Sequence, residues 1–221
     1  MSSSADDVYV PSKSTLYCVP RTIASPIVQI ASELDLVPGE IEVVRLDFQT
    51  LKEKVVNINP MGTSPTFVTK DGVHMWESGA VLAWILAEYD KENKLHPSPE
   101  NRKKFAAFLQ FQQYVIATVY PFVAKWFLHT LKDVSEQDPA FIASSGSTWS
   151  KTIAPTLETQ LGTKQYMLGD EISAVDYLIA KPLRNADALG ALAEFASLKA
   201  LLDKISSRPS YEPAYGFEGT L

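Results

Sequence analysis

The chain has 221 residues, 46% hydrophobic and 21% charged, which is ordinary for a globular protein with one large domain or two small ones. Its net charge of −6 argues against nucleic acid as a partner, because phosphate binding needs a surplus of Lys and Arg. One cysteine and three scattered histidines exclude an intrachain disulfide and argue against a metal site, and the lack of any leader-like or membrane-length apolar segment predicts a soluble cytoplasmic protein without membrane contact.

The start of the chain predicts a strand–helix–strand unit after a loose tail. Residues 1–14 are polar and indicate a flexible tail. Short β-type runs at 15–19 and 41–46 enclose apolar residues at helical spacing. Ser25 is the predicted N-cap of this helix and Pro26 its first helical residue.

The next part of the chain predicts a hairpin and a closing helix. Residues 47–58 indicate a loop with a short helix. Two β-type runs, 66–69 and 73–76, are joined by a Lys-Asp-Gly turn, and an apolar helical pattern then continues to about Tyr89. The order βαβαββα predicts a small four-stranded mixed sheet with helices on its faces, since the βαβ unit requires a parallel pair.

Beyond residue 100 the sequence shows helical patterns only. Residues 91–100 are charged, contain two prolines and indicate a linker. Pro121 is expected to kink or divide the first long helix, and a sequence like a capping box at 173–176 predicts the start of a buried helix. Helical patterns occupy 105–129, 134–146 (weakly), 149–161, 173 onward and 192–205.

Pro65, at the mouth of the third strand, can be interpreted in two ways. A trans proline would blunt the start of the strand, and the strong preference of X–Pro bonds for trans favours this interpretation locally. A cis Ser64–Pro65 bond would instead turn the backbone N–H and C=O of Ser64 outward, toward a peptide ligand. The order of the surrounding elements favours the second interpretation.

Four segments, in this order and spacing, resemble the cytosolic glutathione transferase family. Residues 59–65 resemble its NPxGxVP segment, which contains a cis-proline, with Ser64 where valine is usual. Residues 76–80 resemble its ESxAI helix start, residues 20–25 the PxSxxS/T loop of its phi-like, serine-type branch, and residues 169–176 its helical N-capping box. The resemblance implies a thioredoxin-like domain at 15–90 followed, after the linker, by an all-helical domain at 101–221.

The family conjugates its co-substrate glutathione to electrophiles through the glutathione sulfur. A thiol of pKa about 8.5 is mostly protonated at neutral pH, so a hydroxyl donor and a helix N-terminus are needed to favour the thiolate. By resemblance, Thr22 occupies the place of the catalytic serine, keeping the hydroxyl and adding a methyl group. Tyr17 is an alternative donor, because tyrosine-type branches carry their hydroxyl near the end of this strand, but it is also an ordinary packed strand aromatic.

Two other side chains near this loop have simpler interpretations. Ser25 offers a third hydroxyl, yet its position is better explained by capping. Cys18 lies four residues before the loop position that cysteine-type branches use, and we expect it to be part of the core.

The resemblance also implies how glutathione is held. The Ser64 backbone beside Pro65 would meet the cysteinyl part, and Glu77 would pair with the γ-glutamyl ammonium. The Ser78 hydroxyl and the helix N-terminus would bind the γ-glutamyl carboxylate. Two lysines could serve the glycyl carboxylate; they are Lys52 and Lys54.

The implied function is conjugation of glutathione to hydrophobic electrophiles by a homodimer, with no metal. The electrophile pocket is expected between the domains, lined by aromatic side chains of which most are ordinary core. The candidates are Tyr114, Tyr120, Phe122, Trp126, His129, Tyr215 and Phe217. A glutathione-dependent peroxidase or isomerase, and a non-catalytic binding or assembly module like the transferase-like domain of elongation factor 1 gamma, are the alternatives.

Overall fold

The computed structural model describes residues 12–216, so most of the predicted tail lies outside the described residues. The N-terminal half contains β1 (Ser14–Cys18), α1 (Ala24–Glu33), β2 (Ile41–Arg45), α2 (Phe48–Val55), β3 (Thr66–Val68), β4 (His74–Trp76) and α3 (Ser78–Tyr89). The helical half contains α4 (Arg102–Tyr114), α5 (Tyr120–Thr130), α6 (Pro139–Thr148), α7 (Ala154–Leu161), α8 (Ala174–Ala188), α9 (Ala196–Ser206) and α10 (Tyr211–Tyr215).

The four strands form one mixed sheet in the order β2-β1-β3-β4. β1 pairs in parallel with β2, while β3 is antiparallel to both β1 and β4. The predicted fold class, a thioredoxin-like βαβαββα unit followed by an all-helical part, is therefore confirmed. The register sets Leu16 opposite Phe67, and both side chains are fully buried.

α1 lies at the centre of the molecule. It packs against α3 in its own half and against α8 and α10 in the helical half. Eight of its ten residues are buried, far more than one amphipathic stripe would supply. One apolar cluster accordingly runs from Leu16 and Ile27 in the N-terminal half to Val119 and Leu178 in the helical half.

The start of α1 differs from the sequence-based expectation. The helix begins at Ala24, and the Thr22 hydroxyl accepts a hydrogen bond from the Ala24 N–H at 3.2 Å. Ser25 is the second helical residue, and its Oγ accepts from the N–H of Arg21 at 2.8 Å. The predicted Ser25 N-cap is wrong, because Arg21 adopts a φ of 63° that turns the chain into the helix earlier. Pro26 fits in the first turn, where its missing N–H has no intrahelical partner to lose.

The helical half departs from simple helices at its prolines and its end. A π-helical segment, Val115–Val119, separates α4 from α5 directly before Pro121, so the expected division occurs there. A second one, Trp149–Ile153, precedes α7, and a short 3₁₀ turn, Val134–Glu136, precedes α6. The short helix α10 forms where the sequence shows only aromatics. No helix within the described range is long and apolar enough to cross a membrane.

The predicted capping box of α8 is confirmed. The carboxylate of Asp176 is fully buried and accepts hydrogen bonds from the Ser173 N–H at 2.8 Å and the Ser173 hydroxyl at 2.9 Å. It also accepts from the N–H of Met167 at 2.7 Å. One side chain therefore fixes both the start of α8 and the turn that precedes it.

The segment between the halves is held by a buried carboxylate. Asp90 accepts from the N–H groups of Lys94, Leu95 and His96, at 2.7, 2.8 and 3.2 Å, and contacts His96 Nδ1 at 2.7 Å. The Leu95 carbonyl in turn accepts from the N–H of Ala174, at the start of α8, at 2.7 Å. The segment is thereby bonded to both halves.

A second carboxylate joins the end of α1 to the C-terminal segment. Glu33 accepts hydrogen bonds from the Arg208 guanidinium and from the Ser210 hydroxyl. Burial alone would raise the pKa of Glu33, but these donors and the positive charge of Arg208 outweigh it and hold that pKa below its usual value of 4.5.

We expect Glu33→Gln to lower the free energy of unfolding by about 2 kcal/mol at neutral pH, since the charge-assisted hydrogen bonds are lost. The pKa of Glu33 is lower in the folded protein than in the unfolded chain, so its ionised carboxylate stabilises the fold fully at pH values above the unfolded-state pKa. This stabilisation is lost as the pH falls through the folded-state pKa. Urea unfolding at about pH 7 and about pH 3 should show the two proteins converging in acid. An equal difference at both pH values would contradict this account.

Candidate functional site

Two loops meet at the C-terminal end of β1. The N–H of Val19, directly after β1, donates to Ser64 Oγ at 2.9 Å. The hydroxyl oxygens of Thr22 and Ser64 lie 3.3 Å apart, although 42 positions separate them in the chain. The loop that begins α1 and the loop that begins β3 are therefore brought into direct contact.

The Thr22 hydroxyl is held in place by the backbone. It donates to the Val19 carbonyl at 2.7 Å and accepts from the N–H of Ala24. Thr22 itself is half-buried. Redirecting its single proton from Val19 to a ligand atom requires only a rotation about the Cβ–Oγ1 bond.

The loop before β3 carries the proline that the sequence singled out. The Ser64–Pro65 bond is cis, as is Val37–Pro38. The buried amide of Asn59 fixes the loop, donating to the Thr63 carbonyl at 3.1 Å and to Thr66 Oγ1 at 2.7 Å. The Ser64 side chain is thus hydrogen-bonded to the loop that follows β1.

The start of α3 carries the next two residues of the predicted site. Ser78 is the first helical residue and is buried, whereas Glu77 before it is exposed. Glu77 has a φ of 71° and a ψ of 117°, a conformation that non-glycine residues adopt rarely and mainly at functional sites. The unpaired N–H groups of this helix end favour an anion.

The two lysines proposed for the glycyl carboxylate differ in their surroundings. Both are exposed on α2. The stem of Lys52 packs over Gly62, where an added Cβ would lie 2.9 Å from Lys52 Cγ. Gly62 also has a φ of 60°, so glycine is needed there on both counts. Lys52 is thus adjacent to the loop that holds Ser64.

The alternative residues on β1 face the interior. Cys18 is buried, and burial raises the pKa of its thiol to about 11, which leaves it protonated and unreactive. Tyr17, on the other face of the sheet, is half-buried and packs with the small apolar cluster of Val19, Leu51 and Val55. These are the surroundings of a packed strand aromatic, and the hydroxyls of Thr22 and Ser64 bond to other groups than that of Tyr17.

The fold places the aromatic residues predicted to line the pocket in different parts of the molecule. Tyr120 reaches the site, because its hydroxyl accepts from the N–H of Ile23 at 3.2 Å. Tyr215 is buried in α10, which packs against α1, and its ring stacks on that of Tyr211. Trp126, with Phe122 beside it, faces Gly146 of α6, and His129 contacts Phe141 of α6.

Two members of that lining lie elsewhere. Tyr114 lines a groove between α4 and α7. Phe217 lies outside the described residues. Of the predicted lining, the structure thus brings Tyr120 to the loop that bears Thr22.

Several neighbours of the site carry no motif and were not predicted. Gln113 and Ile116 approach Gly79 at the start of α3, at 3.7 and 3.6 Å from where its Cβ would be. Helical spacing does not identify them in the sequence, because the π-helical segment Val115–Val119 shifts the angular positions along this helix. Lys181, buried in α8, was also missed, although a lysine inside the apolar run 177–183 is an unusual residue to bury. Residues 12–216 contain no group of three or more His, Cys, Asp or Glu arranged to hold a metal ion.

Comparisons with known proteins bear on the fold and on the helical half of the chain. Residues 118–212 match the family model of the glutathione S-transferase C-terminal domain. A curated relative, glutathione S-transferase hmp2 of Hypomyces subiculosus, is 27% identical over 144 residues. That match covers 63% of this chain and 66% of the relative, slightly less than two thirds of its length.

Solved structures extend the likeness to nearly the whole chain at the level of the fold. Glutathione transferase URE2P6 of Phanerochaete chrysosporium, in complex with oxidized glutathione, has a TM-score of 0.80 at 19% identity, covering 92% of this chain and 95% of that one. Ure2p5 of the same fungus, cocrystallized with 1-(S-glutathionyl)-2,4-dinitrobenzene, has a TM-score of 0.77 at 18% identity, covering 92% and 93%. The fold is that of the glutathione transferases, and the matches together support that family.

Proposed function

We propose that this protein is a glutathione transferase that joins the thiolate of glutathione to a hydrophobic electrophile. The observation that carries the proposal is the meeting of Thr22, at the start of α1, with Ser64 at a cis-proline, their hydroxyl oxygens 3.3 Å apart. The family match over residues 118–212 and the glutathione-bound structures of similar fold support it.

The chemistry required is stabilisation of a thiolate. Free thiols of this kind have a pKa of about 8.5, so a minor fraction is ionised at neutral pH. A sulfur placed beside Ser64 would face the Thr22 hydroxyl and the N-terminal end of α1. A hydrogen bond and the positive end of the helix both favour the thiolate, as they do for reactive cysteines. Attack on the electrophile forms a C–S bond and expels the leaving group with its bonding electrons.

The remaining residues orient glutathione. Exposed Glu77 would pair with the γ-glutamyl ammonium, and the Ser78 hydroxyl with the N-terminal N–H groups of α3 would bind the γ-glutamyl carboxylate. The backbone of Ser64 would pair with the cysteinyl part. Lys52, beside Gly62, is the better placed cation for the glycyl carboxylate.

A homodimer is part of the proposal. A groove of about 820 Å³ runs between α4 and α7, and both apolar and polar residues line it. Its apolar lining includes Tyr114, Ala117 and Pro155. Phe48 and Met61, on the N-terminal half, are 59% and 68% exposed. A two-fold arrangement that seats this apolar pair of one copy in the groove of the other would bury both.

Two measurements on the purified protein test the function. Retention on immobilised glutathione tests the binding site, and conjugation of chlorodinitrobenzene tests the reaction. We expect both to be positive. Retention without conjugation of any aromatic halide would favour the assembly-module alternative, and peroxide reduction without conjugation would favour the peroxidase alternative. The absence of both retention and turnover would refute the proposal.

Lys52→Met should raise KM for glutathione about tenfold with little change in kcat, because it removes one charge-assisted contact to a group remote from the sulfur. The matched substitution Lys54→Met, two positions along α2, should change KM much less. Steady-state kinetics at varied glutathione concentration measures both. Equal effects of the two substitutions would show that Lys52 has no specific contact with glutathione.

A further inference from the structure

A cleft lies between the C-terminal part of α3, the segment that follows it and α4. Its volume is about 400 Å³, within the range of small-molecule sites. Each helix contributes residues at positions i, i+3, i+4 and i+7, so one face of each helix lines the cleft. The lining consists of Ala83, Leu86, Ala87 and Asp90 at the end of α3, Phe105, Phe108, Leu109 and Gln112 of α4, and Lys91, Asn93, His96 and Pro99 between the helices.

The cleft has an apolar floor and an open mouth. Leu86 and Phe108 are buried and form the floor. Ala83 and Ala87 are exposed, and because each carries only a methyl group, the space above the floor is left open to solvent on their side. The cleft shares no residue with the proposed glutathione site, which includes the opposite end of α3.

Gln112 brings an unsatisfied amide to this cleft. The residue is 3% exposed, yet within residues 12–216 its side-chain amide has no hydrogen-bond partner. The amide atoms are not among the polar atoms that are fully shielded from solvent, so they keep contact with the open space that Gln112 lines. Buried polar groups are normally hydrogen-bonded, and a ligand in the cleft would supply the missing partner.

His96 supplies a second polar group with a fixed orientation. Its Nδ1 lies 2.7 Å from Oδ2 of Asp90, the carboxylate that also accepts from the His96 N–H, so Nδ1 is the donor. In the neutral ring Nε2 is then the acceptor, and it has no partner in the described part of the chain. The His96 ring centroid lies 6.2 Å from that of Phe108, one helical turn before Gln112 on the same face of α4. Both polar groups therefore adjoin the same part of the floor.

We propose that this cleft binds an uncharged ring compound that carries a hydroxyl group. The hydroxyl donates to His96 Nε2 and accepts from the Gln112 amide, and the ring lies over Leu86 and Phe108. A hydroxyl is suited to this place because it both donates and accepts. The Asp90 carboxylate in the same wall disfavours an anion.

The proposal goes beyond the proposed function and does not depend on it. None of the residues that line the cleft is assigned to glutathione or to its electrophile. The ligand of the cleft is therefore a separate molecule, and it can be bound while the reaction site is occupied.

The test is a calorimetric titration of the full chain with two probes of the same ring system. 2-Naphthol carries the hydroxyl, and in 2-methoxynaphthalene a methyl group replaces its proton. We expect 2-naphthol to bind at least about tenfold more tightly, because methylation removes the donor to His96. An excess of 1-(S-glutathionyl)-2,4-dinitrobenzene occupies the proposed reaction site throughout, and binding of 2-naphthol should persist in its presence.

Gln112→Leu tests the polar contact. It breaks no hydrogen bond within the described residues and keeps a side chain of similar size, so the variant should fold normally. The affinity for 2-naphthol should fall about fivefold, and that for 2-methoxynaphthalene should not fall. Gln110→Leu, the same change at an exposed position of α4 outside the cleft, is the matched control and should leave both affinities unchanged.

Ala87→Phe tests the location independently of the polar groups. The position is exposed, so the larger side chain does not disturb the core, and its ring would occupy the mouth of the cleft. Both probes should bind at least about tenfold more weakly. Ala106→Phe adds the same ring to an exposed alanine of α4 outside the cleft and should have no effect.

Four results would each overturn the inference: equal affinities of the two probes for the unaltered protein, affinities unchanged by Ala87→Phe, tighter binding of 2-naphthoate than of 2-naphthol, or displacement of 2-naphthol by the glutathione conjugate. A protein that neither binds nor conjugates glutathione, but prefers 2-naphthol and loses it in the Ala87→Phe variant, would contradict the proposed function and leave the cleft site standing. A protein that conjugates chlorodinitrobenzene but shows no preference between the probes would contradict only the cleft site.

Discussion

Thr22→Val should lower kcat/KM for conjugation about a hundredfold, the size of loss seen when one positioned donor to a developing or resident negative charge is removed. Valine has nearly the same shape, so the loop should keep its form while the hydroxyl disappears. The fall should be larger at neutral pH than in alkali, where glutathione ionises without help. Initial rates between about pH 6 and about pH 9 measure both effects.

Two further variants separate Thr22 from its alternatives. Thr22→Ser keeps the hydroxyl, removes the methyl group and should retain most of the activity. Tyr17→Phe should change the rate little, since the Tyr17 ring packs against Leu51 and Val55. If Tyr17→Phe costs more than Thr22→Val, the assignment of Thr22 is wrong. The Ala24 N–H loses its cap in the valine variant, so a stability loss of about 1 kcal/mol should accompany the kinetic effect.

Asp176→Ala should give the largest stability loss of any substitution considered, about 4 kcal/mol, because it leaves the buried N–H groups of Met167 and Ser173 without acceptors. Burial raises the pKa of Asp176, and the hydrogen bonds from Met167 and Ser173 oppose this shift. The side chain belongs to α8 and is not among the groups that bind glutathione in the proposed arrangement. Urea unfolding should show a lower midpoint, while the KM for glutathione of the protein that remains folded should be unchanged.

Ser173→Ala is the matched control for the same capping box. It removes one hydroxyl that donates to Asp176 and leaves both backbone donors satisfied. The expected loss is about 1 kcal/mol, typical of a cap residue. Equal losses in the two variants would mean that the box acts through Ser173 and that the buried carboxylate contributes little.

The fold could be predicted from the sequence because its signals are local and repeated. Strand-length runs, a hairpin turn and helical spacing each depend on neighbouring residues, and all agree with one topology. The capping box at Ser173 was equally local. The same reasoning gave the wrong N-cap for α1, because Ser25 followed by Pro26 is a common start signal. The left-handed backbone at Arg21, which sets the true start, has no such signal in the sequence.

The candidate site was only partly predictable, since its parts come from distant segments. Motifs identified Thr22, Ser64 and Glu77, but the contact between Thr22 and Ser64 depends on how β1 and β3 pair. The aromatic candidates on α4 and α5 could not be sorted in advance. The π-helical segment Val115–Val119 changes the angular position of each residue after it, so spacing alone misplaces Trp126 and His129.

The hydrogen bonds that the Asp90 carboxylate accepts between the two halves affect how the protein unfolds. The Asp90 carboxylate accepts a hydrogen bond from the N–H of Leu95, in the segment that follows α3. The Leu95 carbonyl in turn accepts one from the N–H of Ala174, more than seventy positions further along the chain. Separation of the halves would leave the Leu95 carbonyl and the Ala174 N–H without hydrogen-bond partners at the same time. The connection between the halves is therefore rigid. We expect the halves to unfold in a single transition, and we expect neither half to remain folded alone after a cut between them.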